Sequence, residues 1–94
     1  MAKIALVTGS SKGIGRGIAL GLADAGWDVV VNYFRDQAGG EQTADEVRKK
    51  GRQAWVVQAD VADQKSVEAM FAFIDAKAGA LGALVCNSGV QSWS

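Results

Sequence analysis

Ile4-Ala5-Leu6-Val7-Thr8-Gly9-Ser10-Ser11-Lys12-Gly13-Ile14-Gly15 decides how this chain is read. Its first four residues form a continuous apolar run, the pattern of a strand buried on both faces. Glycines follow at once, and from Gly13 the apolar residues Ile14, Ile18, Leu22 and Ala25 recur at helical spacing. A glycine-rich turn ahead of a helix presents unpaired backbone N–H groups and the positive end of the helix dipole, which suits an anion. By analogy with dinucleotide-binding turns, Gly9 permits the sharp turn and Gly13 lets a pyrophosphate approach the backbone. Gly15 lets the helix pack close to the strand. Ser10, Ser11, Lys12 and Ile14 complete the candidate loop. The spacing differs from G-x-G-x-x-G, and no Gly-Lys-Ser/Thr follows, so the turn is not a P-loop. Taken alone, the same glycines also serve simply to cap a strand and a helix.

The alternation continues outward from this turn. Gly26 stands where a left-handed helix cap is needed, and Val29-Val30-Val31 reads as a second buried strand. Residues 39–50 read as a polar helix with Ala44 and Val47 as a narrow apolar seam, ended by Gly51. Asp45 with Lys49, and Glu46 with Lys50, have the spacing of helical ion pairs. Ala54-Trp55-Val56-Val57 reads as a third strand. Asp63 is a candidate N-cap for a third helix, whose stripe is Val67, Met70, Phe71, Ile74 and Ala78. Gly79 and Gly82 break it before a fourth strand, Ala83-Leu84-Val85-Cys86, which runs into Asn87-Ser88-Gly89. The order β-α-β-α-β-α-β with short, right-handed connections predicts an α/β chain: a parallel sheet with helices on both faces.

The chain has 94 residues, enough for one domain with a thin core. Ten basic residues balance ten acidic ones, so no net field draws nucleic acid or anionic lipid. The absence of histidine removes the commonest general base and metal ligand, and no metal site is expected. Cys86 is the one cysteine, which fits a reducing cytoplasm, and it reads as a small buried hydrophobe. The apolar run after Met1 is too short for a signal peptide and far below the ~18 residues of a membrane span. A soluble, cytoplasmic protein is expected.

Three motifs jointly resemble the short-chain dehydrogenase/reductase family. Thr8-Gly9-x-x-x-Gly13-x-Gly15 resembles that family's cofactor signature, and Asp60-Val61 its adenine-contacting pair. Cys86-Asn87-Ser88-Gly89 stands where the family usually has Asn-Asn-Ala-Gly, with Cys86 in the place of the first asparagine. The resemblance covers the whole chain and is similar to 3-oxoacyl-acyl-carrier-protein reductases and glucose dehydrogenases. It implies the N-terminal half of a Rossmann-like doubly wound sheet, strand order 3-2-1-4, holding NAD(P)(H) along the C-terminal ends of its strands. The cofactor residues it implies are those from Gly9 to Gly15, then Phe34 and Arg35, Asp60 and Val61, and Asn87, Ser88 and Gly89. Asp60 serves equally as a residue leading a helix, and Asn87 as a brace between strand ends.

NAD-preferring members place an acid at the end of the second strand, against the ribose 2′-OH. Here Asn32-Tyr33-Phe34-Arg35 occupies that region, with Tyr33 in the acid's place. Lys12 resembles the basic residue that NADP-preferring members set against the 2′-phosphate, and Arg35 lies one place beyond the usual second one. NADP(H) is therefore favoured over NAD(H), the alternative being that both are ordinary surface charges. The family's catalytic serine and Tyr-x-x-x-Lys have no counterpart: Tyr33 is the one tyrosine, and Gln37 stands four residues on. Residues 1–94 are thus expected to be an NAD(P)-binding domain cut before its catalytic segment, inactive and poorly folding alone. The full-length protein is expected to interconvert a small-molecule carbonyl and alcohol, as a homo-oligomer with no nucleic-acid or membrane partner. The alternative is a non-catalytic nucleotide-binding or subunit-interaction fragment.

Overall fold

Four strands and three helices alternate through residues 3–87, those that the computed structural model describes. The strands are β1 (Ile4–Val7), β2 (Asp28–Tyr33), β3 (Ala54–Gln58) and β4 (Ala83–Val85). All pair in parallel, in the order β3-β2-β1-β4 expected from the sequence. The connecting helices are α1 (Gly13–Asp24), α2 (Gln37–Lys49) and α3 (Gln64–Lys77). β2 outruns its three valines, because Asn32 and Tyr33 continue the ladder opposite Val57 and Gln58.

Side chains alternate across the sheet, as the pleat requires. Val7, Val29, Val31 and Ala54 pack with α1 and α2, whereas Ile4, Leu6, Val30 and Val57 pack with Met70 and Ile74 of α3. α1 meets the sheet through Gly15, Ala19 and Ala23, not through the expected row Ile14, Ile18, Leu22 and Ala25. The seam is rotated by one residue, about 100° around the helix. Close approach at Gly15 forces this choice: only small side chains fit beneath, so Ile18 and Leu22 pack at the flank. Ile14 is left 73% exposed. α1 ends as expected at Gly26 (φ +95°), where Gly26 N donates to Ala23 O and Trp27 N to Leu22 O, both at 3.0 Å. These are the paired bonds of a Schellman turn.

α2 buries more than Ala44 and Val47, since Gly39, Gly40 and Thr43 are also enclosed. Among the described residues neither expected i,i+4 ion pair forms. Asp45 meets Arg48 at 3.1 Å, and Lys50 crosses to Asp24 at 2.8 Å. Exposed pairs contribute so little that long side chains take whichever partner lies nearest. α3 starts at the expected cap, Asp63, whose carboxylate accepts from Lys65 N. β4 is the outer strand of the described sheet, so Leu84 is 50% exposed, and Cys86 is exposed rather than buried as expected. Between β4 and α3 lies an apolar cleft of about 190 Å³ lined by Leu6, Met70, Phe71 and Leu84 among others. No described helix is long and apolar enough to cross a membrane.

Candidate functional site

The glycine turn leaves β1 with Gly9 at φ +63° and Gly13 at φ +61°, conformations that disfavour any side chain. Ordinary residues around it do the fastening. Gly9 N donates to Asn32 Oδ1 at 3.0 Å, and Ser10 N to Asn32 O at 2.9 Å. Ser10 is wholly buried, its hydroxyl donating to Val7 O at 2.8 Å and accepting from Asn32 N at 3.2 Å. Asn87 Nδ2 donates to Gly9 O at 3.2 Å, the bracing role left open for it above. A Cβ on Gly15 would collide with Gly9 O and lie 2.9 Å from Asn87 Nδ2. The turn is thus held by β2 on one side and by the end of β4 on the other.

A cleft of about 340 Å³ opens at the C-terminal ends of β1, β2 and β3. The turn contributes Gly9, Ser11 and Lys12; β2 contributes Asn32 and the segment after it Phe34, Arg35 and Asp36; the segment after β3 contributes Ala59, Asp60 and Val61. Seven residues singled out in the sequence therefore share one wall-to-wall space: Gly9, Ser11, Lys12, Phe34, Arg35, Asp60 and Val61. Ser10, Gly15 and Asn87 stand behind that wall, buried in the packing that shapes the turn. Gly13 and Ile14 lie outside the lining, exposed at the first turn of α1. Ser88 and Gly89 lie outside the described residues. Tyr33 does not line the cleft. The pleat turns it to the α2 side, where a Cβ on Gly40 would sit 3.0 Å from the tyrosine ring.

Four charged residues line this space, Lys12 and Arg35 against Asp36 and Asp60. An acid therefore does reach the cleft from the end of β2, in Asp36. Both carboxylates already hold backbone N–H groups: Asp36 Oδ1 accepts from Gly39 N at 3.0 Å, capping α2, and Asp60 Oδ1 accepts from Ala62 N at 2.9 Å. The Arg35 guanidinium lies 4.9 Å from the Phe34 ring centroid, a cation–π pair. Lys12 is the extended N-cap of α1 and makes no side-chain cap bond, which leaves the helix N-terminus open to an outside anion. Among the described residues no cluster of three or more His, Cys, Asp or Glu residues is able to hold a metal ion. Among the described residues that line the cleft, none pairs a nucleophile with a base.

Sequence reasoning passed over three residues that build this site. Asn32, a polar side chain directly after three buried valines, was the legible signal for a hydrogen-bonding hub. Asp36, three residues before Gly39, had the spacing of an N-cap. Arg16, on α1, had no pattern to mark it; its partners come from distant segments.

The short chain dehydrogenase family model matches residues 3–94. The 3-oxoacyl-[acyl-carrier-protein] reductase FabG of Staphylococcus aureus is 44% identical over 90 residues, covering 96% of this chain and 37% of that protein. The oxidoreductase YgfF of Escherichia coli is 45% identical over 87 residues, covering 93% and 35% respectively. Among solved structures, acetoin dehydrogenase from Enterobacter cloacae superposes with a TM-score of 0.83 at 36% identity, over 89% of this chain and 33% of its own. Hydroxysteroid dehydrogenase from Escherichia coli superposes with a TM-score of 0.81 at 32% identity, over 87% and 34%. The chain spans roughly a third of the length of each of these relatives. The strand order, the glycine turn and the family match across residues 3–94 agree: this chain belongs to the short-chain dehydrogenase family.

Proposed function

We propose that this chain is the cofactor-binding part of an oxidoreductase that interconverts a carbonyl and an alcohol by hydride transfer, with NADP(H) preferred over NAD(H). The observation that carries this reading is the single cleft that joins the glycine turn to Lys12, Phe34, Arg35 and Asp60. Main-chain N–H groups of the turn beyond Ser10, whose own N–H and that of Gly9 are held by Asn32, bind the pyrophosphate at the positive end of α1. The Phe34–Arg35 pair presents a flat, cationic surface to the adenine end, and Asp60 with Val61 closes it from the β3 side. Lys12 and Arg35 meet the 2′-phosphate, while the acid that follows β2 into the cleft, Asp36, is committed to capping α2. Asn87, and Ser88 and Gly89 after it in the sequence, are assigned to the same cofactor. A bound nicotinamide would give or take the hydride, and this chain's residues would hold the cofactor that carries it. The substrate class proposed for the whole protein is a small ketone or its alcohol, in keeping with the reductase and dehydrogenase names of the relatives. The whole protein is proposed to be a cytoplasmic homo-oligomer with neither nucleic acid nor membrane among its partners.

Replacing the Lys12 side chain tests the cofactor preference. In the full-length protein, Lys12→Ala is expected to weaken NADPH binding by about ten-fold, the loss of one charge-assisted hydrogen bond, and to leave NADH nearly unchanged. Fluorescence titration of both cofactors reads the difference. Equal losses would assign Lys12 to the pyrophosphate and remove the basis for the NADP(H) preference. Failure of the unsubstituted full-length protein to bind either cofactor would remove the reading itself.

A further inference from the structure

The carbonyls of the glycine turn that face α2 are all held by two side chains that no feature of the cleft requires. The Thr43 hydroxyl, fully buried, accepts from Arg16 Nε at 2.9 Å and donates to Ser10 O at 2.8 Å, with Gly39 O 3.0 Å away. Arg16 Nη2 donates to Ser11 O and, at 3.2 Å, to Gly39 O. Its other terminal nitrogen lies 3.9 Å from Glu46. α2 presses directly on the turn at this point: a Cβ on Gly39 would stand 2.6 Å from Ser11 O. Neither Arg16 nor Thr43 lines the cleft.

In a trans peptide the C=O and the following N–H point in opposite directions. Holding the carbonyls of Ser10 and Ser11 toward α2 therefore turns the N–H groups of Ser11 and Lys12 away from it. Among the described residues those two N–H groups meet no protein acceptor, and both residues line the cleft. The clamp needs a guanidinium. Its planar fork serves Thr43 through Nε and two carbonyls through Nη2, whereas a lysine ammonium is a single point on a flexible stem.

Building on the dinucleotide reading above, we infer that Arg16 and Thr43 are positioning residues that fix the donor geometry of the turn for a diphosphate, acting through the backbone without touching the ligand. Three probes separate this from a purely structural role. NADPH and ADP carry the diphosphate; adenosine 2′-phosphate lacks it and engages only the adenine end and the cationic side chains. Affinities are measured by titration calorimetry at a temperature where circular dichroism finds each variant folded. Arg16→Lys and Thr43→Val are each expected to weaken NADPH and ADP by about ten-fold, the loss of one aligned bond to a charged group. Adenosine 2′-phosphate is expected to stay within about two-fold, and Thr43→Ser, which keeps the hydroxyl, to bind all three like the unchanged chain. Uniform weakening of all three probes, or no weakening of any, overturns the inference. If Thr43→Val does not fold, Arg16→Lys, which leaves the buried hydroxyl in place, carries the same comparison. An unchanged chain that binds none of the probes sinks the dinucleotide reading and the clamp together. Binding by the unchanged chain without the split in the variants sinks the clamp alone.

Discussion

Asn32 is 1% exposed, and its carboxamide serves two strands and the glycine turn at once. Oδ1 accepts from Gly9 N at 3.0 Å, while Nδ2 faces Val57 O at 3.4 Å and Ala59 O at 3.3 Å. A buried amide is tolerated here because both its ends are satisfied. Asn32→Asp preserves shape and removes the donor, setting a carboxylate against two carbonyl oxygens. An unpaired buried charge costs about 3–5 kcal/mol, so the variant is expected to melt at a markedly lower temperature or not to fold at all. A thermal melt within error of the parent would show that Asn32 Nδ2 bonds contribute nothing. The sequence directed attention to Tyr33 instead, and the reason is parity. A strand's side chains alternate, so the neighbour that enters the cleft is fixed by the pleat and not by its distance from the last valine. Asn32 and Phe34 share one side there, and Tyr33 takes the other.

Helix α1 was legible at its ends and not on its faces. Gly13 and Gly26 have positive φ, and such glycines punctuate a sequence visibly. The face is harder to read, because the largest apolar residues are not those that touch the sheet. Gly15, Ala19 and Ala23 touch it, and at Gly15 the turn's carbonyl at Gly9 leaves no room even for a Cβ. Two glycines of this helix region are expected to respond oppositely to alanine. Gly26→Ala forces a Cβ into a left-handed conformation and is expected to cost about 1 kcal/mol, lowering the melting temperature by roughly 4–8 °C. Gly17 lies mid-helix with nothing within 4 Å of its Cβ position. Gly17→Ala is expected to raise stability by about 0.5–1 kcal/mol, since alanine is the better helix former. Paired melts in one buffer check both signs, and a stabilising Gly26→Ala would contradict the cap assignment.

Alternation and handedness predict a parallel sheet with helices on both faces, and the family resemblance supplies its strand order 3-2-1-4. What alternation does not reveal is how well each strand is covered, and β4 is covered least. Leu84 is half exposed beside an apolar cleft, and Cys86, two residues on, is exposed as well. A bare, apolar outer strand invites pairing between chains, which a charge discourages. Leu84→Lys is expected to reduce concentration-dependent association in sedimentation while leaving far-ultraviolet dichroism unchanged; unchanged association would place the sticky surface elsewhere. The bond from Thr8 Oγ1 to Val85 O joins residues 77 positions apart, whereas that from Gly9 N to Asn32 spans 23. Closing the longer loop costs about 1 kcal/mol more in chain entropy, a small difference in energy and a large one in sequence of events. The segment from β1 to β3 is able to collapse on contacts near in the chain, and β4 can dock only against a β1 already in place. Asn87 delivers its bond to Gly9 with that last docking. Assembly of the turn is therefore finished by the final strand to arrive, and an anion bound on the finished turn would favour that strand's docking.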